Sequence, residues 1–338
     1  MSAPSTQQQA DPPHTLRLAH SPDSDDLVMW WPLTGMRDPS GEPVAGELGR
    51  PRVTSERFRV ETTGEDVEAL NALVRDGGDA PRNRQGIGFD ITAISAATYP
   101  LIADRWAITR CGGSFGEGYG PRVVVRTDSP IRSIDDLKDA RIAVPGTGTS
   151  AFLTLSMMLG DGEGEGEGDR GFEHEAVLFS DVPGRVLGGH ADAGLLIHEA
   201  QLTFAEMGLR EVANLGEWWA GNQPDPGAQL PLPLGLNVLR RDLDDRFGPG
   251  SCAEVSGLLS ASVRYATEHL EESKAYLRLH SEGRPEWNDD SLVERYLGMY
   301  VSRLSVDMGE RGERALRVFL GMGAQRGFVP RCNGITVL

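Results

Sequence analysis

Short apolar runs alternate with segments of helical spacing along most of the chain. Leu16–Ala19, Arg59–Thr62 and Phe89–Ile94 read as strands, with a helix opening at Leu27 and another over Val67–Val74. Ser95–Ile102 predicts a further helix, and the β-branched run Arg122–Val125 a buried strand. A short helix over residues 133–140 and a strand at Arg141–Val144 lead into the loop Pro145–Ser150, which opens directly into the helix Ala151–Leu159. Ala191–Ile197 is a strand that ends on His198 and passes into a helix to about Met207. Pro231–Arg240 is an extended return segment, and residues 254–327 read as helix throughout. Strands alternating with amphipathic helices predict an α/β fold with largely parallel sheets.

If Arg122–Val125 and Pro231–Val238 both cross between lobes, a continuous lobe sits inside a discontinuous one, the wiring of hinge-bending proteins. The expected division is a disordered tail over 1–14, a larger lobe of 15–125 plus 235–338, and a smaller lobe of 126–234. Two stretches have the character of insertions. Asp76–Gly86 is rich in Gly, Pro and Asn, and residues 161–169 alternate Gly with Glu, so the latter is expected to be a flexible acidic loop that buries no core.

Composition narrows the function. A chain of 338 residues that is 39% hydrophobic suits two cores, and no run approaches the roughly 18 apolar residues of a membrane span. The polar start lacks the basic and apolar regions of a secretory signal, so a cytoplasmic protein without membrane partners is expected. A net charge of −17 argues against nucleic acid as a partner. The widely spaced Cys111, Cys252 and Cys332 support neither a disulfide framework nor a cysteine zinc site. Oligomeric state is not readable at this level.

In open α/β sheets ligands sit beyond the carboxyl ends of the strands. Here those ends carry His20–Asp26, Ser95, Thr147–Ser150 and His198–Glu199, which converge on one cleft. Thr149 and Ser150 stand at a helix N-terminus after two glycines, which suits either an anion site or plain capping. His198 suits a general base held neutral by the helix end, or a structural histidine. His198-Glu199 is not a zinc motif, because Leu202 stands where the second histidine belongs. Asp23, Asp25 and Asp26 do not form an EF-hand, since Val28 and Thr34 occupy its glycine and glutamate positions. Those acids are expected to cap the helix at Leu27, with Asp26 as the one that could face the cleft. The pairs Trp30-Trp31 and Trp218-Trp219 suit cleft walls or core.

Residues 192–204 (Asp-Ala-Gly-Leu-Leu-Ile-His-Glu-Ala-Gln-Leu-Thr-Phe), 215–219 (Leu-Gly-Glu-Trp-Trp) and 231–235 (Pro-Leu-Pro-Leu-Gly) resemble the 1,4-dihydroxy-6-naphthoate synthase family. Ser21-Pro22, Gly116–Pro121, Val144–Ala151 and Asp307–Ala315 extend the likeness in order along nearly the whole chain. The resemblance implies a type II periplasmic-binding-protein-like fold, two α/β lobes joined by two crossing strands with a cleft between them. It implies a carbon–carbon lyase of menaquinone biosynthesis, acting without a cofactor or metal on cyclic dehypoxanthinylfutalosine, a small-molecule carboxylate. His198 matches the family's proton acceptor, Thr149 and Ser150 its substrate-binding hydroxyl pair, and Ala93, Ile94 and Ser95 its other binding stretch. Of the family's Ser-Pro-Cys-Pro-Asn-Asp loop, Asp26 keeps the last carboxylate. Ala93 stands where the family often has lysine, which leaves Arg122 or Arg110 as the partner expected for the substrate carboxylate. The competing readings are a non-catalytic solute-binding protein of the same fold and chorismate dehydratase.

Overall fold

The computed structural model describes residues 12–77, 88–160, 171–332 and 334–338. The acidic loop expected over 161–169 lies outside them, as do residues 1–11 of the expected tail and residues 78–86 of the other insertion. His14, expected as tail, is instead the first residue of a strand.

Eleven strands occur among the described residues: β1 (His14–His20), β2 (Phe58–Gly64), β3 (Ile91–Ser95), β4 (Trp106–Ile108), β5 (Ser114–Gly116), β6 (Arg122–Arg126), β7 (Ile142–Val144), β8 (His174–Ala176), β9 (Ala193–Leu196), β10 (Leu209–Asn214) and β11 (Leu232–Arg240). The helices are α1 (Ser24–Thr34), α2 (Val67–Asp76), α3 (Ser150–Leu159), α4 (Val182–Leu187), α5 (Ala200–Thr203), α6 (Leu215–Asn222), α7 (Leu243–Phe247), α8 (Ser251–Glu268), α9 (Leu270–Leu279), α10 (Asp290–Tyr300), α11 (Arg303–Val306) and α12 (Gly309–Gln325). One sheet runs β2-β1-β3-β11-β4 with β5 also paired to β11, and the other runs β10-β6-β9-β7-β8. The two sheets are the centres of two α/β lobes.

The pairing corrects two expectations. The sheets are mixed rather than largely parallel: β1 is parallel to β2 and β3, whereas β11 is antiparallel to β3, β4 and β5. In the second sheet β7 is parallel to β8 and β9, while β6 is antiparallel to β9 and β10. A strand that returns from one lobe to the other meets its neighbours head to tail, which is why β6 and β11 are the antiparallel members. The lobe boundary also moves. Arg122–Val125 pairs entirely within the second sheet, and Leu232–Leu234 begins the strand that completes the first. The expected limits at 125 and 235 therefore fall inside strands.

The long helical tail is broken. Residues 254–327 divide among α8 to α12, with a 3-10 turn at Pro285–Asn288. The break at residues 281–284 carries Arg284, whose guanidinium donates to the carbonyl of Pro22 at 2.9 Å. The helix expected to open at Leu27 begins three residues earlier, so Asp25 and Asp26 lie in its first turn. Nearly every residue of α1 is buried, because α8, α9 and α10 pack around it. Ser95–Ile102 forms a 3-10 helix over Ala96–Leu101, and the helix expected from His198 to Met207 shrinks to the four residues of α5.

One apolar cluster runs through both lobes. Leu153 and Met157 of α3 and Trp219 of α6 pack with Phe319 and Leu320 of α12 and with Ile94 and Leu236 of the first sheet. The chain crosses near this cluster at a point of very close backbone approach. A Cβ on Gly216 would stand 2.0 Å from the carbonyl carbon of Tyr119, so only glycine fits there. No helix among the described residues is long and apolar enough to cross a membrane.

Candidate active site

The cleft begins where β1 runs out into the loop before α1. The Ser21 amide donates to Asp26 Oδ2 at 2.7 Å, which pulls the loop tightly over the helix start. Asp23 occupies the N-cap position with extended backbone, yet its side chain accepts no helix N–H. Its carboxylate instead turns across the cleft, with Oδ2 at 3.1 Å from His198 Nδ1, and the Ser21 hydroxyl donates to the same oxygen. Asp25 accepts from Ser114 Oγ and Tyr296 OH, each at 3.3 Å. The acids expected as caps are thus hydrogen-bonded within the site, which corrects that expectation.

Three buried carboxylates so close together disfavour one another's charge, and burial disfavours all of them. Burial first, then the neighbouring acids Glu199, Asp25 and Asp26, push Asp23 well above the usual carboxylate range, against the pull of Arg284. Asp26 is raised for the same first reason, with Asp25 as the next cause. Asp25 is raised to about 6, by burial and then by Glu199.

His198 leaves the end of β9 with φ of +56°, a left-handed conformation that costs a non-glycine residue strain. Phe179 packs edge-on to its ring at 4.6 Å. Burial lowers the imidazole to about 4, with Arg284 adding to the effect and Glu199 opposing it. The expected cause, a positive helix end, is not the one at work; α5 is a single turn that starts two residues later. With Nδ1 on Asp23, the other nitrogen, Nε2, is buried without a hydrogen-bond partner among the described residues. Glu199 faces elsewhere, accepting from Ser24 Oγ at 2.7 Å and Trp287 Nε1 at 3.1 Å.

The far wall is built by β3 and the start of α3. Ala93, Ile94 and Ser95 line the cavity from the strand, and Asn71 of α2 fixes Ser95 by bonds to its amide and hydroxyl. The Thr149 hydroxyl caps α3, accepting from Phe152 N at 3.1 Å and donating to Gly146 O at 2.8 Å. The Ser150 hydroxyl joins the lobes, donating to Leu234 O at 2.6 Å and accepting from Ala97 N at 3.2 Å. A carboxylate already lies at the glycine loop: Glu68 of α2 accepts from Gly148 N at 2.9 Å.

His198, Asp26, Ala93, Ile94, Ser95, Thr149 and Ser150, all expected from the sequence, line this one cavity. Sequence reasoning took Asp23 and Asp25 as helix caps and missed Ser114, Gln201 and Tyr300, all of which line it too. The last two lie far apart in the chain and are joined by a 2.5 Å bond from Gln201 Nε2 to the Tyr300 hydroxyl, a contact no local pattern announces. Neither arginine expected to hold a carboxylate is there: Arg122 pairs with Glu211, and Arg110 with Asp307 and Glu313. Among the described residues no lysine or arginine lines the cavity. Trp30, Trp31 and Trp219 are core residues, at most 2% exposed.

The sequence matches the model of a family described as menaquinone biosynthesis over residues 16–325. It is 32% identical over 312 residues to a 1,4-dihydroxy-6-naphthoate synthase of Thermus thermophilus, covering 92% of this chain and 95% of that protein. Among solved structures, protein AF1704 of Archaeoglobus fulgidus superposes with a TM-score of 0.71 at 31% identity, covering 94% of this chain and 99% of that one. The Candida albicans CA3427 product, described as having the generic periplasmic binding protein fold, gives 0.57 at 10% identity over 96% of this chain and 98% of its own. The last likeness concerns the fold alone, and the two lobes are of that fold.

Proposed function

Because the chain belongs to the menaquinone-biosynthesis family, we propose that it is a 1,4-dihydroxy-6-naphthoate synthase acting in the cytoplasm on cyclic dehypoxanthinylfutalosine. The observation that carries the proposal is His198. It is a neutral imidazole at the wall of the cavity, anchored through Nδ1, with an unpartnered Nε2. A nitrogen of that kind accepts a proton.

The chemistry follows from the atoms. Nε2 takes the proton of a hydroxyl on the sugar remnant. The oxygen's electrons form a carbonyl, and the adjoining carbon–carbon bond to the ring system breaks. Its electron pair enters the ring's conjugated ketone, which becomes an enolate. The imidazolium returns the proton, and the enol is a hydroxyl of the aromatic dihydroxynaphthoate. Aromatisation drives the cleavage, so the protein needs only to position the hydroxyl and hold the proton. The ring carboxylate is assigned to the backbone N–H groups at the start of α3, where Thr149 and Ser150 stand, since a helix N-terminus accommodates an anion without a basic side chain; the two hydroxyls themselves already donate to Gly146 O and Leu234 O.

The test is to incubate the protein with cyclic dehypoxanthinylfutalosine and follow dihydroxynaphthoate by mass spectrometry. Turnover is expected, and His198→Ala is expected to lose about 10²- to 10⁴-fold in kcat. Full activity in that variant would overturn the role of the histidine. Reversible binding with no product in the wild type would mark the chain as a binding protein instead.

A further inference from the structure

Base chemistry at His198 requires one particular tautomer. A neutral imidazole carries one N–H, and only the other nitrogen can accept a proton. The choice is made by whatever faces Nδ1, and here that is a carboxylate from the opposite lobe. Asp23 belongs to the first lobe, at the start of α1, and His198 to the second, at the end of β9.

Three observations show that the contact is built rather than incidental. Asp23 sits where aspartate ordinarily caps a helix and makes no capping bond; its carboxylate is turned away from α1 to within 3.1 Å of Nδ1. The side chain is 1% exposed, and the Ser21 hydroxyl donates to the same oxygen that faces the histidine, which holds the carboxylate in place. His198 in turn adopts φ of +56°, with Phe179 against its ring, so its orientation is fixed by both backbone and packing.

We propose that Asp23 is the positioning residue of the base: its carboxylate keeps the proton on His198 Nδ1, frees Nε2 to accept the substrate proton, and does so only when the lobes are closed. The base is thereby assembled from two lobes and is complete only while they are shut. When Nε2 takes the hydroxyl proton, the imidazolium faces a carboxylate, and the charge created is balanced within the pair. The inference rests on the function proposed above for the acceptance of a substrate proton, but not for the tautomer itself.

The charged groups that act on His198 are Asp23, in contact from the start of α1, and, without contact, Glu199 on its own turn and Arg284 from the break before Pro285–Asn288; Asp25 and Asp26 act on Asp23. Burial and the neighbouring acids hold a proton on the pair at lower pH, and with Asp23 protonated Nδ1 becomes the acceptor and Nε2 carries the hydrogen. Nε2 is then no base. Activity therefore rises with pH as the pair loses that proton.

The experiment combines nitrogen NMR of 15N-histidine-labelled, ligand-free full-length protein with pH profiles of kcat and KM. In wild type, the bare lone pair is expected on Nε2 and the hydrogen on Nδ1 at pH 8. Asp23→Asn, which keeps an acceptor but not the charge, is expected to lose about 10- to 100-fold in kcat with KM changed less than about threefold. Its rising limb moves to lower pH. Asp23→Ala is expected to populate both tautomers. A tautomer unchanged in both Asp23 variants overturns the proposal, and so does a wild-type pH profile in Asp23→Asn. If the wild type turns over no substrate, the assigned function fails, while the tautomer still reports on Asp23.

Discussion

Asp25 shows at the scale of one residue how a site sets stability against chemistry. Its carboxyl, ordinarily near 3.8, is raised to about 6, chiefly by burial and by Glu199. Between those values the native state keeps a proton that the unfolded chain has released, so stability falls as pH rises through the window. Two units correspond to about 3 kcal/mol of destabilisation at neutral pH, as an order of magnitude. Ser114 and Tyr296 donate to different oxygens of Asp25, so Asp25→Asn can accept one of those bonds and donate its N–H to the other hydroxyl, without the charge. The variant is expected to be more stable than wild type at pH 7.5 in urea titrations, by about 1–3 kcal/mol. The gain should shrink to nothing near pH 4, and a gain independent of pH would contradict the assignment to ionisation. His198 works in the opposite direction. Because burial lowers it to about 4, the unfolded chain binds a proton between there and about 6.5 that the native state refuses, and this term lowers stability as pH falls.

At the scale of elements, α2 does more than cover a sheet. Asp66 caps it by accepting from the amides of Glu68 and Ala69, which sets the first turn so that Glu68 reaches Gly148 in the other lobe. Gly146 must be glycine here, since its φ is +129° and a Cβ would lie 2.4 Å from Glu68 Cγ. Thr98 Oγ1 adds a bond to Gly148 O at 3.1 Å. Glu68→Ala is expected to leave the fold intact and favour an open cleft, seen as a larger radius of gyration by small-angle X-ray scattering without ligand. An unchanged radius would show that the remaining bonds, from Thr98 and Ser150, suffice. Periodicity found α2, because Leu70 and Val74 are buried at helical spacing, although Asn71 is buried and Glu68 reaches across the cleft rather than into solvent. It misplaced the start of α1, because Asp25 and Asp26 are buried against Ser114, Tyr296 and Ser21 rather than solvated, and acids before an apolar run ordinarily read as a cap. The same limit hid Asp23: a carboxylate that crosses a cleft to a histidine 175 positions away leaves no local spacing to read.

For the whole molecule, the α/β class and the residues of the cleft were legible, because strand ends carry polar side chains and open sheets gather such ends together. Strand direction at the crossing was not, since a buried run such as Arg122–Val125 has the same composition whichever way its neighbours point. The depth of contact between lobes was not legible either. Trp219 of the second lobe packs edge-on to Phe319 of the first at 5.7 Å, and its Nε1 donates to Leu230 O at 2.9 Å. A shared core couples the lobes, so calorimetry should show a single transition. Trp219→Ala should cost about 3–5 kcal/mol of the whole fold's stability. Two well-separated transitions in the wild type would show that the lobes melt independently.

The bonds that Glu68, Thr98 and Ser150 make across the cleft have a kinetic consequence. A shut mouth admits a ligand only in the fraction of molecules that happen to gape, and it detains a product for as long as it stays shut. Capture is then slower than diffusion by that fraction, and escape becomes a candidate for the slowest step of the cycle. Raising solvent viscosity should slow such a gate and leave bond cleavage untouched.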